Sequence, residues 1–242
     1  WHLARHPEGL RHSARGMEYL STAAIGLLGG TFDPIHLGHL RMAEELGEAL
    51  GLAEVRFLPT GTPPHRAQPA ASAQHRLAMT RLAIAGNPRF VLDEHEIHKT
   101  TPCYMVDTLE LLRSESGSRR PLILFLGADA FLSLATWHAW PRLFELAHLA
   151  VAQRPGFDPE QWQAAMPTGL ARELARRRTE TPTDLHSTPA GRIFLTVITQ
   201  LDIAASRIRD LVASGRSIRY LVPDAVLDYI ERHRLYLNPT AD

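Results

Sequence analysis

The chain has 242 residues, one large domain or two small ones at roughly 150 residues each, and a fold of either size buries about 70% of the unfolded surface without a covalent staple. Its 45% apolar and 21% charged residues exclude wholesale disorder, and its single cysteine, Cys103, excludes a disulfide framework and a four-cysteine zinc site. The 26 basic and 26 acidic side chains give zero formal charge, so no global field recruits nucleic acid or an anionic membrane.

Residues 1–16, WHLARHPEGLRHSARG, are basic, His-rich and aperiodic. They read as a disordered leader or an expression remnant, with Met17 as the start of the fold. AAIGLLGG is too short for the apolar part of a signal peptide and runs straight into the turn TFDP. No apolar run approaches the 18 or more residues of a membrane span. With no disulfides and no address, the cytoplasm is the expected compartment.

Short apolar runs bounded by Gly, Pro or charge predict buried strands at Ala23 to Leu28, Val55 to Leu58, Phe90 to Leu92, Pro121 to Leu126, Leu149 to Ala152 and Ile193 to Ile198. Helical patterns lie between them. In HLRMAEELGEAL, Leu40, Ala43, Leu46 and Leu50 share roughly one face; in QHRLAMTRLAIA, Leu77, Thr80, Arg81 and Ile84 do so less cleanly, while Ala and Leu favour the helix. YMVDTLELLRS, QWQAAM, TGLARELARRR, AASRIRDLVAS and DAVLDYIERHRLY complete the set, the last opened by Pro223 and Asp224. The stretch from Arg172 to Thr183 reads as a charged surface helix followed by a loop, and Thr60 to Ser72 and Arg154 to Glu160 read as loops. Strands alternating with helices predict an α/β fold: a doubly wound, Rossmann-like parallel sheet with helices on both faces. No composition shift divides it, so residues 17–242 are expected to form one domain.

The informative stretch is GLLGGTFDPIHLGHLRMAEE, Gly26 to Glu45. A strand ends, Gly29 and Gly30 follow, Asp33-Pro34 turns the chain, and a helix begins near Gly38 or His39. Ligands of open parallel sheets bind beyond the carboxyl ends of strands. Glycines let backbone amides approach a phosphate, and a helix N-terminus adds free N–H groups and partial positive charge. His36 and His39 are three residues apart, placed to donate to one anion. Zinc ligation lacks the H-E-x-x-H spacing and its Glu, and a structural histidine pair accounts for neither the diglycine nor the turn. The Walker and G-x-G-x-x-G spacings are both absent, so neither a P-loop nor a dinucleotide redox cofactor is expected.

GGTFDPIHLGHL resembles the signature of the (H/T)xGH nucleotidyltransferases and, more narrowly, that of the bacterial nicotinate-nucleotide adenylyltransferase family. The resemblance runs from about Ile25 to Tyr236. TPPHR (Thr62 to Arg66) is similar to the family's TPPHK loop, and DEHEIHKTTPCYMVDTLELL (Asp93 to Leu112) to its D-x-x-E-I…S-Y-T-x-D-T-L segment. FLGADAFLSLATWHAWPRLFELAHLAVAQRPG (Phe125 to Gly156) is similar to its GAD…W…RPG block, and DIAASRIRDLVASGRSIRYLVPDAVLDYI to its I-S-x-T-x-I-R segment.

The resemblance implies adenylyl transfer from ATP to nicotinate mononucleotide, releasing pyrophosphate. The attacking phosphate is already anionic, so no protein nucleophile or general base is required; the work is positioning and charge stabilisation. It implies His36, His39 and Arg209 as catalytic groups. Gly29, Gly30, Thr31, Phe32, Gly127, Asp129, Ser206 and Ile208 would bind ATP, with Asp129 on a ribose or, as its residue type also allows, capping a helix. His65, Arg66, Tyr104, Met105 and Trp137 would take the pyridine nucleotide, Trp137 by stacking while Trp140 packs in the core. Arg207 and Arg209 are two apart on a helix and cannot share a face; the resemblance selects Arg209. Mg²⁺ would come with ATP, bridging phosphate oxygens and keeping most of its waters, with no protein cage.

Three departures stand out. Ala204 replaces a family Ser, Cys103-Tyr104-Met105 stands where the family has S-Y-T, and Arg66 replaces a Lys. Nicotinate selectivity therefore survives only if backbone N–H groups hold the carboxylate. The rival functions are a sibling adenylyltransferase using nicotinamide mononucleotide or phosphopantetheine, and a non-catalytic nucleotide sensor. A class I tRNA synthetase fragment is disfavoured, because no K-M-S-K-S-like loop is present.

Overall fold

A computed structural model describes residues 23–63, 68–153, 162, 164–199 and 201–237. Residues 1–16, His65, Arg66 and the expected loop at 154–160 lie outside the described residues; of QWQAAM, Trp162, Ala164 and Ala165 are helical.

The strands are β1 (Ile25–Gly30), β2 (Glu54–Pro59), β3 (Phe90–Leu92), β4 (Leu122–Gly127), β5 (His148–Gln153), β6 (Arg178–Thr179) and β7 (Ile193–Val197). Between and after them lie α1 (Leu37–Ala49), α2 (Ala73–Ile84), α3 (Met105–Ser116), α4 (Ala128–Leu132), α5 (Leu143–Leu146), α6 (Thr168–Arg177), α7 (Asp184–Ser187), α8 (Ala205–Ala213) and α9 (Asp224–Arg232). The sheet order is β3-β2-β1-β4-β5-β7-β6 and the pairs are parallel. This is the doubly wound arrangement expected, with all six anticipated strands in place.

Strand alternation sorts the core into two layers. Leu28, Ile123 and Phe125 face a layer shared with Ala43 and Leu46 of α1, Met79 of α2, Ile208 of α8 and Ile230 of α9. Leu27, Leu122, Leu124 and Leu126 face the other, with Leu109 of α3, Phe131 of α4 and Leu170 of α6. A buried Leu, Ile or Phe contributes about 1.5–3 kcal/mol each, so β4, apolar on both faces, anchors both layers.

Three details differ from the sequence expectation. The segment 172–183 contains β6, where Arg178 and Thr179 pair with Ile193 and Phe194 and the buried Thr179 hydroxyl donates to Asp184. Two residues carry no period that could reveal a strand. On α2, Arg81 is exposed and paired with Glu94, while Arg76 is buried at 1% exposure. Hydrophobic periodicity assigns the buried face by residue type and misses an arginine whose guanidinium is saturated inside. Helix α9 ends at Arg232, four residues short, because Arg234 and Tyr236 adopt left-handed backbone angles of 53° and 63° in φ.

Candidate active site

The sheet order reverses between β1 and β4, and the helices that follow these strands leave on opposite faces. This opens a crevice at the carboxyl edge, where doubly wound sheets bind ligands. A cavity of about 300 Å³ lies there, walled by Leu28 to Gly30 at the end of β1 and Thr31 after it, Phe125 to Gly127 at β4, Thr60 and Pro63 after β2, and the start of α3. The expected residues Gly29, Gly30, Thr31, His39, Tyr104, Met105, Gly127 and Trp137 all line it.

Gly30 is fixed by close approach to a buried ring, whereas Gly29 faces only the flexible end of a side chain. A Cβ on Gly29 would meet Met105 Cε at 2.7 Å, and one on Gly30 would meet the Phe32 ring at 2.8 Å. Phe32 has a φ of +48° and is buried. Its side chain belongs to the core, so any ligand contact it makes is through its backbone.

The two imidazoles stack, with ring centroids 3.6 Å apart, but they are not equivalent. His39, in the first turn of α1, lines the cavity and meets Phe32 edge-on at 5.0 Å. The His36 backbone N–H donates to His39 Nδ1 at 3.2 Å. That bond makes Nδ1 the acceptor and leaves the proton on Nε2, so His39 keeps one donor even when neutral. His36 precedes α1, is only 6% exposed and sits behind His39, outside the residues lining the cavity. Its ring faces the His39 N–H in a reciprocal capping arrangement at the start of α1, but the geometry is too poor for a hydrogen bond and Nδ1 stays buried without a well-formed partner among the described residues. Burial lowers the His36 pKa to about 4. It also holds His39 well below its usual value, with the His36 ring as a second cause.

Asp33 joins the parts around this pair. Its carboxylate accepts from the Ala70 and Ala71 N–H groups at 2.7 and 3.1 Å and from the Tyr236 hydroxyl at 2.8 Å. Arg209 of α8 donates to the Asp33 carbonyl at 2.7 Å and lies 3.9 Å from its carboxylate. Arg209 therefore turns toward the loop after β1, while Arg207 is exposed. Ser206 is exposed in the first turn of α8 and Ile208 is fully buried, leaving Ile208 only its backbone for a ligand. Ala204 occupies the α8 N-cap and supplies no side-chain cap; the first helical N–H groups have no intrahelical acceptor.

At the other end, Tyr104 is the N-cap of α3 and gives no side-chain cap bond, and Met105 is the first helical residue. Trp137 faces the cavity; Trp140 packs edge-on to Phe144 at 6.0 Å. His138 lies over Tyr104 at 4.5 Å. Asp129 is exposed within the first turn of α4, whose N-cap is Gly127, so the capping role is corrected. A helix beginning at Ala128 places Asp129 inside the turn and not at the N-cap.

Sequence reasoning missed two buried charges. Glu96, 2% exposed, lines the cavity and accepts from the Thr108 hydroxyl at 2.6 Å; burial raises its pKa. The D-x-x-E-I match contained it without giving it a place. Arg76 reaches the backs of two cavity loops, and nothing in the sequence pattern marked it.

The cytidylyltransferase-like family profile matches residues 27–210. A protein of Dechloromonas aromatica named "Probable nicotinate-nucleotide adenylyltransferase" is 52% identical over 88% of this chain and 98% of its own length. One of the same name from Aeromonas salmonicida is 49% identical over 88% of this chain and 97% of its own. Among solved structures, Plasmodium falciparum nicotinic acid mononucleotide adenylyltransferase complexed with NaAD superimposes with a TM-score of 0.65 at 16% identity, over 88% of this chain and 97% of that one. The same protein complexed with APC gives a TM-score of 0.64. At such identity these two establish the fold.

Proposed function

The chain belongs to the nicotinate-nucleotide adenylyltransferase family, and from that premise we propose how its cavity transfers the adenylyl group of ATP to nicotinate mononucleotide, forming nicotinate adenine dinucleotide and pyrophosphate in NAD biosynthesis. The observation that carries the reading is the His36-to-His39 bond. It presets an Nε2–H donor on a cavity that opens at the reversal point of the sheet.

An oxygen of the mononucleotide phosphate attacks the α-phosphorus of ATP, and the bond to the β-phosphate oxygen breaks. Negative charge grows on the bridging and leaving oxygens. His39 Nε2–H, the Thr31 hydroxyl and the loop amides of Gly29, Gly30 and Phe32 stabilise it, and His36 supports the His39 ring from behind. Such preorganised donors act without reorganising during the reaction. Arg209 and the open N-terminus of α8, through the amides around Ser206 and Ile208, hold the leaving phosphates. Gly127 and Asp129 take the ribose.

Mg²⁺ would come with ATP as part of the substrate, where it would supply charge neutralisation at the phosphates. The nearby Asp33 carboxylate is occupied by Ala70, Ala71 and Tyr236, which suits an ion held by phosphate oxygens and water. Trp137 stacks on the pyridine ring, and the first N–H groups of α3 at Met105 receive the nicotinate carboxylate. His65 and Arg66 take the mononucleotide from the Pro-rich loop. Residues 17–242 act as one domain in the cytoplasm; among the described residues no helix is long and apolar enough to cross a membrane.

Purified protein with Mg-ATP and nicotinate mononucleotide should yield the dinucleotide and pyrophosphate. Nicotinamide mononucleotide should be used at least about tenfold less well in kcat/KM, close to 1.4 kcal/mol of transition-state binding, and phosphopantetheine not at all. Tight nucleotide binding with no product from any acceptor contradicts this reading and restores the sensor.

A further inference from the structure

Arg76 sits on α2 with 1% of its surface exposed, outside the cavity lining, yet its guanidinium is tied to two adjoining loops of the cavity wall, which the Thr60 N–H also joins by donating to the Gly30 carbonyl at 2.9 Å. Nη1 donates to the Thr31 carbonyl at 2.7 Å and to the Thr60 carbonyl at 2.6 Å. Nη2 donates to the Gly61 carbonyl at 3.0 Å and Nε to the Ala71 carbonyl at 3.3 Å. Thr31 belongs to the loop after β1 and Thr60 to the loop after β2, and both line the cavity. One nitrogen therefore splits its two N–H groups between the loop read as holding the triphosphate and the loop leading to the mononucleotide.

The second loop passes the constraint on. The Cys103 N–H donates to the Thr62 carbonyl at 3.0 Å and the Thr62 hydroxyl to the Lys99 carbonyl at 3.3 Å. Gly61 is packed so closely that a Cβ there would lie 2.3 Å from the Glu96 carbonyl oxygen. A shift of Thr60 and Gly61 thus moves the wall that ends at Tyr104 and Met105. Lysine offers three donors from a single atom and no planar fork, so it cannot replace a group reaching four carbonyls of three segments.

We propose that Arg76 is a positioning residue that couples the two nucleotide half-sites, so that filling the triphosphate loop orders the mononucleotide loop and the reverse. The inference rests on the assignment of the two loops made above. Coupling of this kind is a reciprocal free energy between sites. In the native protein the Kd of α,β-methylene ATP should fall at least about fivefold when nicotinate mononucleotide is saturating, and the Kd of the mononucleotide should fall by the same factor.

The test compares native protein with Arg76→Lys and Arg76→Met by titrating each ligand with and without the other. Loss of the mutual enhancement in either variant that remains folded, with each separate Kd within about threefold of native, supports the proposal. Enhancement that survives Arg76→Lys overturns it. A residue with a merely structural role would lower the Tm and weaken each separate binding while leaving the ratio intact. Should neither variant fold, amide hydrogen exchange on the native protein decides. The analogue alone should slow exchange at Gly61 and Thr62 as well as at Gly30 and Thr31, and protection confined to Gly30 and Thr31 overturns the proposal. Native protein that makes dinucleotide without mutual enhancement refutes the coupling and leaves the proposed reaction standing. Native protein that binds neither ligand refutes the reaction itself.

Discussion

The two edges of the sheet bury histidines in different ways. His148 opens β5 at the amino edge and is fully buried, with Nε2 donating to the Thr188 carbonyl at 2.7 Å and Nδ1 accepting from the Arg192 N–H at 3.0 Å. His36 lies beyond the carboxyl edge of β1, nearly as buried, yet its Nδ1 has no well-formed partner among the described residues. Burial lowers both pKa values to about 4, so titration does not separate them; satisfaction does. An unpaired buried polar group costs about 1–3 kcal/mol, and a fold tolerates that cost where the group serves something other than stability. Arg113 repeats the amino-edge pattern by donating to the carbonyls of Arg120, Leu146 and Pro189.

The strongest challenge to this contrast is His39→Ala. It should lower kcat by about 10²–10³-fold, the typical cost of one oxyanion donor, with a fall in Tm smaller than that of His148→Ala, because only the His36 N–H loses its acceptor. An equal loss of stability and activity would make the cavity-edge pair as structural as His148.

Acid should expose what the two edges share. His36 and His148 are held near 4, against 6.5 for the free side chain, and His39 is also lowered. Between about pH 6.5 and 4 the unfolded chain binds protons that the native state refuses, so stability is complete above that window and falls as pH drops through it. Thermal melts at pH 7 and pH 5 should show the lower Tm at pH 5, and His148→Ala should shrink the gap. A Tm independent of pH would contradict the buried neutral imidazoles.

Smaller effects belong to the pyridine end. Trp137→Ala should raise KM for nicotinate and nicotinamide mononucleotides alike by roughly three- to tenfold, through loss of a stacking face. Met105→Thr should change the acid-to-amide ratio of kcat/KM by less than about threefold if the α3 backbone holds the carboxylate. A large gain in selectivity would show that the missing hydroxyl matters.

Strands, helices and the loop after β1 were legible because each leaves a local pattern: alternation, helical spacing, a diglycine before Asp-Pro. Arg209 was separated from Arg207 by spacing and resemblance together, and the structure turns Arg209 to Asp33. What escaped depends on contacts between distant segments. Nothing local marked Arg76, because its four carbonyl partners come from residues 31, 60, 61 and 71. Asp33 read as a turn residue because Tyr236, more than two hundred positions away, gives no local sign of bonding it. The inequality of His36 and His39 was equally hidden, since a spacing of three fixes a helix face but not which ring reaches the cavity.

Of the two buried histidines, His36 at the carboxyl edge serves the reaction and His148 at the amino edge serves the fold. The most direct measurement sets kcat beside Tm for His36→Ala and His148→Ala under one condition. His36→Ala should lose about 10²-fold in kcat with a Tm shift of no more than about 3 °C. His148→Ala, which strands an N–H and a carbonyl, should lose about 2 kcal/mol or more, a fall of roughly 5 °C, while keeping kcat within about twofold. A large fall in Tm for His36→Ala with kcat retained in the folded fraction would contradict this division of roles.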